Sequence, residues 1–206
     1  MEKTTRPVQA RSQKTRENLL KAALSMYEKK GYYKTTVDDI AAEAGVSTGI
    51  AYRYFRNKKD MLLSVISYGA DNIESIAKID NTVIPDEITD IRHYLESILK
   101  SFEDFHIRYR DIHEELEGLQ HTDEDVRKLY SGITEEKMKN IISRLSAVLN
   151  DDTNIREKAY SAVGIMEQHC HMMMNNELYS LDANVMRDIA VNAVFSVLKA
   201  ADRDDM

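Results

Sequence analysis

The 206-residue sequence predicts an all-α protein: an N-terminal three-helix head on a larger helical body, about nine helices in all. Three observations carry that prediction. Nearly every segment repeats its apolar residues at helical spacing, and none sustains the two-residue alternation of a strand. The only prolines, Pro7 and Pro85, fall where boundaries fit better than helix interiors. Start and stop residues recur along the chain at the spacing that helices need.

The first helix is expected from about Ser12 to Lys30, with Leu20, Ala23, Leu24 and Tyr27 on one face, and Gly31 supplies its stop. Thr36 and Asp39 suit a capping box for a second helix that turns Val37, Ile40, Ala41 and Ala44 inward. Gly45 permits a tight turn, Val46 anchors it, and Ser47 caps a third helix. Asn57 with Asp60 opens a longer helix through Met61, Leu62, Val65, Ile66, Ile73 and Ile76. A linker is expected from Asn81 to Pro85, with Asp86 and Glu87 in the next first turn. Further helices are expected near 86–108, 110–120, 123–149, 154–177 and 182–201, with Thr122–Asp125 and Asn154–Glu157 as start signals. The last carries Val185, Ile189, Ala193 and Val197 beside Met186, Ala190, Val194 and Leu198. That stripe is broad enough to call for a second packing surface such as another subunit.

Composition narrows the function classes. A hydrophobic fraction of 43% supports a packed core. No apolar run approaches the roughly 18 residues needed to span a bilayer, and no signal segment is visible. The lone cysteine, Cys170, excludes an internal disulfide, so a cytoplasmic location is expected. The net charge of -7 hides a division: residues 1–60 hold 13 Lys or Arg against 7 Asp or Glu, and residues 61–206 hold 15 against 28. A head of +6 on a body of -13 concentrates attraction for phosphate at one end.

The stretch 35–55 then reads as two short helices joined by a glycine turn, the arrangement that sets a second helix in the DNA major groove. Ala41, Ala44 and Ala51 let the two helices approach closely. From Thr15 to Leu63 the matches accumulate at Thr15-Arg16, Leu20, Ala23, Tyr27, Gly31-Tyr32 and Thr35-Thr36. They continue through Asp39-Ile40-Ala41, Ala44-Gly45-Val46-Ser47, Gly49, Tyr52, Tyr54-Phe55, Lys58 and Leu62-Leu63. On these residues the head resembles the TetR family of bacterial transcriptional regulators. Two departures stand out. Ile50-Ala51 replaces a small or polar residue followed by a larger aliphatic one, and Tyr27 replaces the more usual phenylalanine.

The resemblance implies DNA contact from Ser47, Thr48, Gly49 and Arg53 on the recognition helix, with Arg53 able to pair with a guanine edge and Ile50 with a thymine methyl. It implies phosphate contact from Tyr52 and Tyr54, and from Thr36 and Lys58 at helix starts. The two tyrosines can instead pack between head and body, and Arg53 can simply be solvated. Phe55 reads as core. The first dozen residues, with Lys3, Arg6 and Arg11, read as a flexible basic arm or a nonspecific tail. The expected domains are therefore a DNA-binding head with its arm over 1–58 and a ligand-binding and dimerisation body over 59–206.

For the body the resemblance implies layout rather than motif: a homodimer through the last two helices, a double-stranded DNA operator as partner, and a small-molecule effector held by the middle helices. Tyr68, Phe102, Phe105, His106, Tyr109, His113, Tyr130, Met138 and Met166 offer aromatic, polar and soft surface for such a pocket, or for ordinary core. The acidic body suits a cationic ligand or a solvated face equally.

The run His169-Cys170-His171-Met172-Met173-Met174 invites a metal reading. Residues two apart project about 200° apart on a helix, so His169 and His171 cannot share an ion. Soft sets remain (Met166, Cys170 and Met174, or His169 and Met173) beside plain packing or a dimer interface, and neither a metal nor a cofactor is expected. Glu103 and His106 have the spacing of di-iron bundles, but no second such pair occurs. No catalytic motif appears, so the expectation is a non-enzyme: a homodimeric repressor released from a palindromic operator by a ligand. The alternatives are an architectural DNA binder without a switch, and a protein-interaction module.

Overall fold

The computed structural model describes residues 6–72, 91–149 and 153–199, which form ten helices and, among the described residues, no strand. In chain order these are α1 (Arg6–Lys34), α2 (Val37–Glu43), α3 (Thr48–Tyr54), α4 (Lys58–Asp71), α5 (Ile91–Arg108), α6 (Arg110–Thr122), α7 (Glu124–Leu149), α8 (Ile155–Met174), α9 (Asn176–Tyr179) and α10 (Ala183–Leu198). The expected linker and the helix start at Asp86 and Glu87 lie outside the described residues. No described helix is long and apolar enough to cross a membrane.

Two compact units divide the chain: Met1–Asn72 with Tyr109–Tyr130, and Ile73–Arg108 with Ser131–Met206. The unit containing the head thus reaches beyond residue 58, because α1 packs not only on α2 but also on α4 and α6.

In the first unit α1 begins at Arg6, so Arg6 and Arg11 belong to a helix rather than to a flexible arm, while Lys3 lies outside the described residues. Pro7 stands in the first turn, where its fixed φ and missing N–H cost little. Leu19, Leu20, Ala23 and Tyr27 are buried, and burial of a large apolar side chain contributes about 1.5–3 kcal/mol. Gly31 breaks the helical path with φ 77 and ψ 165. Its positive φ favours glycine, and a Cβ there would come within 2.6 Å of Glu115 Oε1 and displace that carboxylate. The Tyr32 N–H donates to that same carboxylate. Buried Thr35 closes the corner by donating its hydroxyl to the Gly31 carbonyl at 2.7 Å.

The second unit has α5, α8 and α10 packed on one another. Ile91, Ala162, Val194 and Leu198 form one apolar cluster, and Leu99, Cys170, Ala190 and Val191 another. Cys170 is 1% exposed, and burial pushes its thiol up to about 12, so it behaves as an inert core residue. Met173 and Met174 are buried as well, which places the Met-rich run in packing.

Three expected caps differ. Asp123, not Thr122, caps α7 by accepting from the Asp125 and Val126 amides at 3.0 and 3.2 Å, while Thr122 bonds back to the Gly118 carbonyl. Asn154 precedes α8 with a left-handed φ of 50 and makes no side-chain cap bond. Ser47 likewise makes none at α3. Asp182 caps α10 through the Asn184 and Val185 amides.

Candidate nucleic-acid interface

Helix α2 is only seven residues long and needs its cap. The Thr36 hydroxyl accepts from the Asp39 amide at 3.1 Å, and Asp39 accepts from the Thr36 amide at 2.8 Å, which completes the capping box. Asp39 also meets Lys30 at 2.7 Å, and Glu43 accepts from Lys29 at 2.8 Å and Ser25 at 3.2 Å. The hydrogen bond from Lys30 and those from Thr36 hold the Asp39 carboxyl far below the usual range. These contacts fix α2 against α1.

The turn into α3 relies on Gly45 at φ 68, and the Val46 amide donates to the Ala41 carbonyl at 2.9 Å. The Thr48 hydroxyl then donates to Asp38 at 2.5 Å, tying α3 to α2. Ala51 is fully buried and Phe55 is 2% exposed. Their side of α3 therefore faces the core, as the small residue at 51 allows.

The other side of α3 presents Gly49, Tyr52 and Arg53, which share one helix face at i, i+3 and i+4, and all three are exposed. Ser47 is exposed at the start of the helix, with a hydroxyl not spent on capping. Ile50 is half-buried beside them. This row is the solvent-facing side of α3.

The side chains of four other expected contact residues have partners within the chain. Tyr54 is half-buried, and its hydroxyl hydrogen-bonds that of Ser12 at 3.2 Å. Thr36 and Thr48 are occupied by Asp39 and Asp38. Lys58 donates to the Tyr33 carbonyl at 3.1 Å and lies over the Tyr32 ring at 4.3 Å, and burial lowers its pKa. These four side chains hold the shape of the head. Tyr33 was not foreseen: its ring is 63% exposed next to the Lys58 contact, and Lys34 beside it is exposed too. The sequence signal was there, an aromatic and a base directly before the α2 cap.

The nine residues expected to line a pocket divide between the units. Tyr68, Tyr109, His113 and Tyr130 belong to the first; Phe102, Phe105, His106, Met138 and Met166 belong to the second. Within the second, α5 gathers Phe102, Phe105 and His106, with ring centroids 6.3 and 5.7 Å from the histidine. Tyr109 and Met138 are buried. A cleft of about 260 Å³ in the first unit is lined by Arg16, Leu63, Ser64, Ser67, Asp125 and Leu129, none of them among the nine. It is smaller than the roughly 300–1,000 Å³ usual for ligand sites.

One polar constellation in the body escaped the sequence reading. Glu103 of α5 is 2% exposed, accepts from His169 Nε2 of α8 at 2.6 Å, and accepts from Arg187 Nε of α10 at 2.7 Å. Burial pushes its carboxyl up, but the hydrogen bonds from His169 and Arg187 and their charges together hold it below the usual range. One carboxylate thus joins α5, α8 and α10.

The family model for "Bacterial regulatory proteins, tetR family" matches residues 19–65, the stretch that builds α2, α3 and their supports. Over residues 19–65 the chain matches the N-terminal segment of the TetR family. Its relatives include the HTH-type transcriptional regulator HbdR of Aromatoleum sp. (strain CIB), 35% identical over 83 residues, which are 40% of this chain and 33% of that one. The chain spans less than half the length of the first curated relatives it matches. Its fold is that of Salmonella enterica GusR, with a TM-score of 0.69 at 14% identity over 97% of this chain and all of that one. It is shared by SCO4454, a TetR-family transcriptional regulator from Streptomyces coelicolor, with a TM-score of 0.63 at 16% identity over 90% and 94%.

Proposed function

We propose that this chain is a TetR-family, sequence-specific DNA-binding transcriptional repressor that acts as a homodimer and leaves a palindromic operator when a small molecule binds. The observation that carries the reading is the exposed row Ser47, Gly49, Tyr52 and Arg53 on a helix held against α2 from its buried side. Arg53 reads a base edge, Tyr52 donates to a phosphate, and Ile50 meets a methyl group at the margin. Tyr33 and Lys34 add to the phosphate contacts. Thr36, Thr48, Tyr54 and Lys58 position these groups.

Dimerisation is supported by the face that α8 and α10 leave open. Ala190, Val191, Val194 and Leu198 are buried within the chain, whereas Val185 and Ile189 of α10 are 53% and 57% exposed and Tyr160 of α8 is 43% exposed. The apolar stripe of α10 thus has one side buried in its own chain and one side for a partner. Two-fold symmetry would set two recognition helices about 34–36 Å apart, or a multiple of that, on successive grooves. An effector held among Phe102, Phe105, His106, Met138 and Met166 would act by favouring the DNA-incompetent state. A tenfold loss of DNA affinity needs about 1.4 kcal/mol of coupling. The chain then works where transcription does, in the cytoplasm, and its work is binding rather than catalysis.

Selection of bound duplexes from a random pool tests the reading. The expected outcome is a two-fold symmetric consensus with half-sites one turn apart or a multiple. Binding without any consensus would replace it with an architectural role, and no retention of DNA at low salt would replace it with a protein partner.

A further inference from the structure

Beside the Glu103 network, a second group of polar side chains converges in the body. His106 of α5 and Glu167 and His171 of α8 each bring one ligand-type atom within 4.8 Å of the others. His106 Nε2 stands 3.6 Å from Glu167 Oε2, and His171 Nε2 stands 3.9 Å from the same oxygen. Both separations exceed hydrogen-bond length. They are close to what a cation would leave: ligands about 2.0–2.2 Å from a tetrahedral ion stand roughly 3.3–3.6 Å apart. The two separations from Glu167 thus lie within a few tenths of an ångström of that span.

We infer that His106, Glu167 and His171 form a binding site for a divalent transition-metal ion of the Zn²⁺ class. Three further features support it. His106 Nδ1–H donates to the Phe102 carbonyl at 2.7 Å, which fixes the ring with Nε2 on the side of Glu167. That is the support a metal-bound imidazole usually has. Glu167 and His171 are four residues apart on α8, the spacing at which two side chains on one helix face reach a single ion. Burial is graded as well: the His106 side chain is 5% exposed, His171 32% and Glu167 52%, so an inner anchor stands behind an open entrance.

Two imidazoles and one carboxylate make a set of borderline hardness, suited to Zn²⁺, Co²⁺ or Ni²⁺ and poor for Ca²⁺ or Mg²⁺. The site is separate from the soft sets read in the sequence, since Cys170 is core and His169 is held by Glu103. Metal binding does not depend on the regulatory reading, because it is measured without DNA.

The test is equilibrium dialysis of the chelator-stripped full-length protein against Zn²⁺, with Co²⁺ absorption as the second readout. One Zn²⁺ per chain is expected, and a Co²⁺ spectrum with d–d bands and no thiolate charge transfer. Because His106 is buried, the deciding variants are the more exposed Glu167→Gln and His171→Gln, checked for native helix content by circular dichroism. Each should weaken Zn²⁺ binding by about 10–100-fold, comparable with or exceeding the loss of a supporting shell partner. No stoichiometric Zn²⁺, binding unchanged in both folded variants, or a thiolate band pointing to Cys170 would each overturn the inference.

Discussion

Replacing Glu103 by glutamine removes one charge from the middle of the body while keeping its volume. The wild-type carboxylate is 2% exposed and accepts from His169 at 2.6 Å and from Arg187 at 2.7 Å. Hydrogen bonds to charged groups contribute about 1.5–3 kcal/mol each, and breaking a buried pair by removing one partner costs about 3–5 kcal/mol. Glutamine keeps one acceptor oxygen and Arg187 is 20% exposed, so the lower end applies, about 3 kcal/mol. For a chain of this size that is a fall in Tm of roughly 6–12 °C. The native carboxyl is held below its unfolded value, so its stabilisation is complete above the unfolded pKa and disappears as pH falls through the folded one. The gap between wild type and Glu103→Gln should therefore narrow in acid. Urea unfolding followed by circular dichroism, at one fixed protein concentration, measures both effects. A difference under about 0.5 kcal/mol at pH 7, or a gap that stays constant in acid, would refute the reasoning.

Tyr27→Phe should stabilise the chain by about 1 kcal/mol, because its hydroxyl is buried with no hydrogen-bond partner among the described residues; a lower urea midpoint would contradict this. Gly31→Ala should cost about 2–4 kcal/mol by the same assay, through its positive φ and the displaced Glu115 carboxylate, whereas a neutral result would mean that the corner relaxes freely. Ile189→Asp, at an exposed position on α10, should shift the sedimenting species from dimer to monomer with helix content retained. A persistent dimer would move the interface elsewhere.

The helices were legible where capping residues and spacing agree. Thr36 with Asp39 and Asn57 with Asp60 form the expected bonds, and Gly31 and Gly45 take positive φ at the expected stop and turn. The errors arose where several polar residues compete for one helix end. Asp123 displaces its neighbour Thr122 because an aspartate reaches two amides at once. The expected arm is helical from Arg6 because Pro7 favours a first turn over a coil.

Within the head, the sequence could say which residues share the α3 region but not which hydroxyls and amines are already engaged. Tyr54 with Ser12, Thr48 with Asp38 and Lys58 with Tyr33 are visible only once the chain is folded. The two polar groups of the body were hidden by distance along the chain. Glu103 finds partners 66 and 84 residues away, and only the Glu167–His171 half of the second group has a local spacing to read.

Direct readout by α3 is tested most sharply at Arg53. A mobility-shift titration should compare wild type and Arg53→Ala on the selected consensus, and on duplexes with one half-site base pair changed at a time. Wild type should lose about 1–3 kcal/mol at one guanine-containing pair, and Arg53→Ala should be indifferent to that pair while still reading the others. Equal losses at that pair for both proteins, or no loss for either at any pair, would contradict base recognition by this helix.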